Sequence, residues 1–262
     1  MTATPLRTDA LLVERRGDGV VVLTLNRPER RNAVDLPTAR LLAAALDDLD
    51  ADPDQRVAVL TGTGGFFSAG MDLRAFAETG ERPVDEGRGG FGIVARPPHT
   101  PVVAAVEGPA LGGGFEMALA CDLIVAGAGA TFGLPEVRRG LVASGGGMLR
   151  LPQRIPRNLA SEAVLTGRPF SAVRAAELGL VNAVVPDGSA LAAACALAAE
   201  IAANAPLAVA ASKAVMAQSV DWPAAEQFAR QEAVIAPVRA SRDAREGATA
   251  FAEKRAPRWE GR

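Results

Sequence analysis

Short apolar runs alternate with helical patterns along the first half of the chain. The apolar runs are rich in β-branched residues and end at Gly, Pro or Asn; they lie at residues 20–25, 57–60, 102–106 and 123–126. After Asp35, which can cap a helix, apolar residues recur at helical spacing, with Pro37 in the first turn. Continuous apolar runs of this length are typical of strands buried on both faces. The pattern predicts an α/β fold in which helices cross between parallel strands.

From about Pro152 the pattern becomes almost entirely helical. Predicted helices, separated by Gly, Pro, Asp and Asn, cover residues 158–165, 172–178, 188–203, 206–218, 222–235 and 241–255. One strand-like run at 181–185 interrupts them. We therefore divide the chain into an α/β core over residues 1–187 and a helical region over 188–262. The helical region cannot bury its apolar faces alone, so it is expected to pack on the core or on another subunit.

The stretch 78–98 has no clean period and is rich in Gly, Pro, Arg and acidic residues. Long segments of this kind are either mobile loops near a functional site or plain surface insertions. The sequence favours neither interpretation over the other.

Composition limits the chemistry that the chain can perform. Its 28 basic and 30 acidic residues leave a formal charge of -2, which argues against a broad electrostatic grip on nucleic acid. Two cysteines, Cys121 and Cys195, and one histidine, His99, form neither a disulfide framework nor a metal-ligand cluster, so no metal is expected. We find no secretory signal and no apolar tract long enough for a bilayer, which predicts a cytoplasmic protein without a membrane partner.

The glycine-rich stretches do not match the commoner nucleotide and hydrolase motifs. Phe67 stands where a dinucleotide fingerprint beginning at Gly62 needs its third glycine, and no Gly-Lys-Ser or Gly-Lys-Thr occurs. Neither Ser68 nor Ser144 has the glycine two positions earlier that a nucleophile elbow requires. Rossmann-type, Walker-type and classical serine-hydrolase functions are therefore excluded.

Two glycine-containing loops each follow a predicted buried strand. One covers residues 67–73, and the other runs through Gly112, Gly113 and Gly114 into a helix start. Glycines at a helix N-terminus leave backbone N–H groups that a ligand can approach, and the helix dipole favours negative charge there. The loops could supply one N–H each to a single oxygen, forming an oxyanion hole. The equal alternative is that the glycines have a purely structural role and permit tight packing of the strand against the helix.

Two acidic residues accompany these loops. Glu116 lies three residues after Gly113, and Glu136 directly follows Pro135. Each glutamate alone is explained by a structural role, since acidic residues favour the first turn of a helix and Pro-Glu often opens one. Their value for function lies in their combination with the two loops, because paired carboxyl groups in different protonation states can act as an acid and a base.

These residues resemble the enoyl-CoA hydratase/isomerase (crotonase) family, and they are most similar to the hydratases that keep both glutamates. The matching segments follow the family's order over nearly the whole chain, at residues 26–28, 32–33, 67–72, 108, 112–116, 122, 132–136, 145–147, 149–152, 175–181, 246–247 and 251–255. The resemblance implies a superhelix of ββα units followed by C-terminal helices that form trimers, two of which often stack as a hexamer.

The resemblance also implies roles for the residues of the two loops. The family binds acyl-CoA thioesters and holds an enolate-like oxygen with two backbone N–H groups, which here belong to Met71 and Gly113. Two glutamates hold one water in the family's hydratases, and these match Glu116 and Glu136. Glu116 would mainly activate the water that adds to C3, and Glu136 would exchange a proton with C2, although the two can share both tasks. Coenzyme A is part of the substrate, and no separate cofactor is expected.

CoA-binding residues are implied at three places. Arg30 and Arg31 would meet phosphates, although arginines on an exposed turn are more often just solvated charges. The segment 68–74 would lie along the adenine and pantetheine, with contributions from Ser68, Ala69, Asp72, Leu73 and Arg74. Phe251 and Lys254, on the last helix, would reach the CoA of a neighbouring subunit.

Several functions remain open at this point. Both glutamates are kept, which favours hydration or dehydration over double-bond isomerisation. Residues 142–144 replace a proline-containing run of many hydratases and, with 78–98, could line the acyl pocket, so the acyl chain and its head group are undetermined. Dehydration of a functionalised hydroxyacyl-CoA, as in carnitinyl-CoA dehydratases, is the main alternative. A non-catalytic acyl-CoA-binding oligomer is disfavoured by the two glutamates, and RNA binding by the near-neutral charge.

Overall fold

The computed structural model describes residues 9–262, and the structural statements below concern that part of the chain. Its strands are β1 (Leu11–Arg15), β2 (Val20–Leu25), β3 (Val57–Gly62), β4 (Val84–Asp85), β5 (Gly89–Gly90), β6 (Val102–Val106), β7 (Pro109–Leu111), β8 (Leu123–Gly127), β9 (Thr131–Gly133), β10 (Phe170–Ser171) and β11 (Ala183–Val185). Its α-helices are α1 (Leu36–Ala51), α2 (Leu73–Thr79), α3 (Gly113–Ala120), α4 (Gly147–Arg154), α5 (Arg157–Thr166), α6 (Ala172–Glu177), α7 (Ala190–Ala202), α8 (Pro206–Gln218), α9 (Gln227–Arg239) and α10 (Arg242–Glu253).

The central sheet has the strand order β1-β2-β3-β6-β8-β11. β1 and β2 are antiparallel, and the other neighbours pair in parallel. The four predicted apolar runs form β2, β3, β6 and β8, and Asp35 caps α1 by accepting a hydrogen bond from Thr38 N. A second sheet has the order β10-β9-β7, and β4 and β5 form a small hairpin. The predicted α/β class is confirmed.

The four inner strands of the central sheet, β2, β3, β6 and β8, are buried on both faces, as their continuous apolar sequences predict. Alternate side chains point to opposite faces of a strand. On β2, Val21 and Leu23 pack in the core with α1 and α3, whereas Val20 and Val22 pack against buried alanines of α7. The predicted division after residue 187 therefore assigns α7 to the helical region although this helix covers one face of the sheet.

The C-terminal helices follow the predicted order, and the largest changes are at the two ends of the helix predicted over 222–235, which covers Gln227–Arg239. The helix predicted to start at Trp222 begins at Gln227, because Trp222 precedes Pro223 and has the extended ψ of 135° that a following proline favours. Short 3-10 turns at 219–221 and 224–226 fill the interval. Large apolar side chains on these helices are exposed, among them Met216, Phe228 and Phe251. Self-association through this region stays a prediction, which the mass of the protein in solution would test.

The segment 78–98 is anchored to α1. Arg88 is fully buried and forms ion pairs of 2.8 Å with Asp47 and Asp50, both on α1. Gly92 has a φ of 77°, and a Cβ there would collide with the carbonyl oxygen of Ala39 on the same helix. The segment therefore lies close against α1, and it borders the cavity described below.

No single helix within residues 9–262 combines the length and apolarity needed to cross a bilayer. α7 and the segment 206–221 reach that length only when taken together, and the two are bent by 107° relative to each other.

Candidate active site

The two glycine-containing loops lie side by side. Leu111 N donates a hydrogen bond of 3.0 Å to Ser68 O, which joins the second loop to the first. Gly70 has a φ of 85°, and a Cβ on it would lie only 2.7 Å from Gly113 N. The close approach of the loops therefore requires glycine at this position, and it brings the segment that carries Met71 next to the start of α3.

Within residues 9–262, the backbone N–H groups of Met71 and Gly113 donate to no protein acceptor. The next amide, Asp72 N, does so, at 2.9 Å from Val34 O. Gly113 is the first residue of α3, where N–H groups have no intrahelical partner and the helix dipole is positive. Both residues border one cavity of about 520 Å³. Two backbone donors are thus available at this cavity.

Both glutamates border the same cavity. Glu116 lies on α3, in which every residue is buried, and Glu136 lies on the 3-10 turn that follows β9. The ring of Phe115 on α3 packs against the ring of Phe132 on β9, with centroids 5.3 Å apart. Aromatic packing in the core therefore fixes the two elements that carry the acidic residues.

Glu116 is almost fully buried, with 2% of its surface exposed. Burial, and to a smaller degree the charge of Glu136, raises the pKa of Glu116 to about 7. Hydrogen bonding from backbone amides opposes this shift, since Gly147 N donates to Glu116 Oε1 at 2.9 Å. The other oxygen faces Gly145, where a Cβ would lie 2.5 Å from it. The carboxyl group therefore changes protonation near neutral pH.

Glu136 is half-buried, and burial raises its pKa, although the neighbouring Arg139 acts in the opposite direction. Its Oε2 is buried and has no hydrogen-bond partner among the described residues. Such an oxygen can accept a hydrogen bond from a water or a ligand in the cavity. Two carboxyl groups with raised pKa values on one cavity can act as an acid and a base.

The remaining wall of the cavity comes from the two segments that the sequence left undetermined. Phe91, from 78–98, lies over Gly113 so closely that its ring occupies the position of a Cβ there. Arg82 of the same segment borders the cavity, as do Val142 and Ser144. Phe91 was not a predicted site residue, because nothing in its irregular segment indicated that it would turn inward.

A basic groove of about 700 Å³ adjoins the cavity. The two share Ala69, Met71, Leu73, Pro135 and Arg139. The arginines that border the groove are Arg30, Arg31, Arg74, Arg138 and Arg139. Arg138 and Arg139 were not predicted, although their position directly after Glu136 in the same turn is a signal that could have identified them.

Two predicted CoA-binding side chains make their hydrogen bonds inside the protein. Ser68 is fully buried and borders neither cavity nor groove; its Oγ donates to Asn32 O at 2.8 Å. Asp72 borders the groove, but its carboxylate caps α2 and pairs with Arg27 at 2.9 Å. Burial opposes ionisation of Asp72, yet the hydrogen bonds and the charge of Arg27 leave its pKa below the usual value.

Phe251 and Lys254 lie at the end of α10 and border neither the cavity nor the groove. Phe251 is 87% exposed. A single chain therefore does not bring them to the other site residues, and their contact with the CoA of a neighbouring subunit stays a prediction.

Comparisons with known proteins agree with this fold and cavity. Residues 15–262 match the family model described as enoyl-CoA hydratase/isomerase. An enoyl-CoA hydratase of Mycobacterium tuberculosis is 44% identical, covering 96% of each chain, and a carnitinyl-CoA dehydratase of Salmonella typhi is 43% identical, covering 97% of this chain and 100% of its own. A crystal structure of an enoyl-CoA hydratase from Mycobacterium marinum is 54% identical, with a TM-score of 0.94 over 97% of this chain and 100% of its own. The crotonase-like fold is confirmed, and the chain belongs to the enoyl-CoA hydratase/isomerase family of enzymes.

Proposed function

We propose that this enzyme adds water reversibly to a 2-enoyl-CoA thioester and forms a 3-hydroxyacyl-CoA. One observation carries the proposal: Glu116 and Glu136 border one cavity, both have raised pKa values, and Glu136 Oε2 is a buried acceptor that no described residue satisfies. An acid and a base that act on one water need this combination.

The thioester oxygen is held by the N–H groups of Met71 and Gly113 in this proposal. Both donors border the cavity and have no protein acceptor within residues 9–262. Two hydrogen bonds to this oxygen withdraw electrons from the conjugated system, which makes C3 electrophilic and stabilises the enolate formed on addition. Each such donor contributes on the order of 2.7–4 kcal/mol of transition-state stabilisation.

The two glutamates then move the protons. The carboxylate of Glu116 takes a proton from water as the water oxygen bonds to C3, and the carboxyl of Glu136 delivers a proton to C2. A second water can return the proton from Glu116 to Glu136 after each turnover, which restores the protonation states needed for the next one. Dehydration follows the same steps in reverse.

The CoA part of the substrate fits the basic groove. The guanidinium groups of Arg30, Arg74 and Arg138 supply positive charge for phosphates there, and Arg139 lies where groove and cavity meet. Ser68 contributes to CoA binding by holding the shape of its loop, and Asp72 contributes by capping α2. Phe251 and Lys254 belong to the site only if a neighbouring subunit brings them there.

Dehydration of a functionalised hydroxyacyl-CoA is the second candidate. The two relatives named above carry the two different names at 44% and 43% identity, so overall similarity does not separate them. The same glutamates and donors serve both reactions. What distinguishes the two candidates is the head group of the acyl chain, which depends on the walls of the cavity.

Hydration of crotonyl-CoA tests the proposal, because the absorbance of the conjugated thioester disappears as water adds. The wild-type enzyme is expected to turn over, and Glu136→Gln to lower kcat by about 10²–10⁴-fold, the usual contribution of an acid/base group. Glu162→Gln removes an exposed carboxylate that pairs with Arg168 away from the cavity, and it is the matched control. Binding of acyl-CoA without turnover would support the non-catalytic alternative, and full activity of Glu136→Gln would contradict the assigned role.

A further inference from the structure

Besides the glutamates and the two loops, the cavity is lined by apolar side chains and by an arginine that does not border the basic groove. Phe76, Leu141 and Val142 border it and are exposed in this single chain, as is typical of a surface that receives an apolar group. Arg82 borders the cavity but not the basic groove. Because the groove is assigned to the CoA phosphates, Arg82 is available to the acyl group, separately from the arginines of the groove.

The guanidinium of Arg82 has no carboxylate partner among the described residues. Its hydrogen bond is to Ser144, whose Oγ accepts from Nη2 at 3.1 Å. The hydroxyl proton of Ser144 can still be donated, since a serine hydroxyl both donates and accepts. Arg82 and Ser144 thus join two separate segments of the cavity lining and present hydrogen-bond donors there. Among residues 9–262, Glu116 and Glu136 are the only acidic residues that border the cavity.

On the basis of the proposed hydration, we propose that the acyl chain ends in a carboxylate, which Arg82 binds with the help of Ser144. An arginine without a carboxylate partner can form two parallel hydrogen bonds to such a group. The same charge repels a quaternary ammonium. Phe76 and Phe91 offer ring faces to a cation, but Arg82 and Arg139 border the same space. Within the described part of the chain, the acids that border it are the two already assigned to the reaction.

This inference separates two head groups that the family relationship leaves open. A trimethylammonium head group requires negative charge or an aromatic cage at the far end of the cavity. The lining of this cavity instead includes the positive charge of Arg82. Because Arg82 is exposed, salt screens its interaction, so the preference for a carboxylate should weaken as ionic strength rises.

The test compares kcat/KM for hydration of enoyl-CoA probes that differ in their head groups. The probes are crotonyl-CoA, the monothioesters of trans-2-pentenedioic and trans-2-hexenedioic acids, and 4-trimethylammonio-2-butenoyl-CoA. We expect the better dicarboxylic probe to exceed crotonyl-CoA by at least about tenfold, as charge-assisted hydrogen bonds to one group allow. Arg82→Gln should remove most of that ratio, and Ser144→Ala a smaller part. Arg16→Gln, an exposed arginine that pairs with Asp18, should leave the ratio intact.

The outcomes distinguish this inference from the proposed function. If crotonyl-CoA is hydrated but neither dicarboxylic probe is preferred, the carboxylate inference is wrong and the hydratase proposal stands. Preference for the trimethylammonium probe, or an unchanged ratio in Arg82→Gln, also overturns the inference. If no probe reacts, the proposed function fails, and the inference fails with it.

Discussion

Arg88 and Glu116 are both almost fully buried, and their surroundings differ in kind. All three guanidinium nitrogens of Arg88 donate hydrogen bonds, and its partners include the carboxylates of Asp47 and Asp50. Glu116 accepts from a backbone amide, and another carboxyl group raises its pKa further. One buried charge is neutralised by its neighbours, whereas the other is held where its charged form is disfavoured.

The difference indicates which buried charge stabilises the structure and which one changes protonation readily. A buried ion whose partners are complete makes removal of either side costly, so it fixes the geometry around it. A buried carboxyl near another carboxyl changes protonation readily, which is the property of an acid or base. The two regions are also connected, because the segment that Arg88 anchors carries Phe91, which forms a wall of the cavity over Gly113.

Removal of Arg88 should have the larger effect on stability. Arg88→Met would leave Asp50, which is mostly buried, without its ion-pair partner, and breaking a buried pair from one side costs about 3–5 kcal/mol. We expect the free energy of unfolding, measured by urea denaturation, to fall by about that amount.

Arg96→Met is the matched control for Arg88→Met. Arg96 also forms an ion pair with Asp47, at 3.1 Å, but both side chains are about half exposed. Such surface pairs contribute about 0–1 kcal/mol. We attribute the stability of the segment 78–98 to the complete set of buried partners around Arg88, and not to an ion pair with Asp47 as such. Equal losses of unfolding free energy in the two variants would contradict this.

Removal of the Glu116 charge should raise the free energy of unfolding, whereas removal of Arg88 should lower it. Since the pKa is raised to about 7, the folded protein keeps a proton that the unfolded chain has lost, and stability falls as the pH rises through this interval. Glu116→Gln keeps an oxygen to accept from Gly147 N and cannot ionise. We expect the variant to be more stable than the wild type by about 3 kcal/mol above pH ~8 and little changed near pH ~4.

Unfolding curves over a pH series measure this difference. Glu162→Gln, which removes an exposed carboxylate, should run parallel to the wild type at every pH. If Glu116→Gln also ran parallel, Glu116 would not be the buried acid that the cavity geometry indicates. If Glu116→Gln gains stability at alkaline pH and loses activity, the charged carboxylate of Glu116 destabilises the fold but is needed for the reaction.

The sequence predicted the central fold well because its signals are local. Uninterrupted apolar runs have few alternatives to a strand buried on both faces, and they formed β2, β3, β6 and β8 with small changes at their ends. The helix predicted from Trp222 began later because Pro223 imposes an extended conformation on the residue before it. That signal was also local and could have been used.

The site was only partly predictable, because two of its walls depend on distant contacts. Glu116 and Glu136 were predicted from their combination with the two glycine-containing loops and from the family resemblance, and both border the cavity. Phe91 reaches the cavity because Arg88, three residues earlier, is paired with aspartates on α1, some forty positions away. No periodicity encodes that pairing. Ser68 was predicted as a CoA-binding residue from its motif, but its hydroxyl donates to Asn32 O inside the loop and does not border the cavity.

Asp72 offers the smallest and most selective test of the same comparison, because its carboxylate has two structural functions. One oxygen accepts from Arg74 N and Ala75 N at the start of α2, and the other pairs with Arg27. Asp72→Asn keeps an oxygen for the cap but loses the ion pair, while Arg27 retains Asp35 at 2.9 Å, so we expect a loss of about 1–2 kcal/mol.

Asp72→Ala removes the cap as well, at a further cost of about 1 kcal/mol. The pKa of Asp72 is lowered, so the stabilisation lost in Asp72→Asn is present above the ordinary aspartate pKa of 3.8 and disappears as the pH falls through the lowered value. The wild-type and Asp72→Asn unfolding curves should therefore converge in acid, the reverse of the behaviour expected for Glu116→Gln. If the two curves stayed apart at every pH, the charge of Asp72 would not be what stabilises the loop. The contrast between the paired carboxylate of Asp72 and the unpaired carboxyl of Glu116 would then be wrong for Asp72.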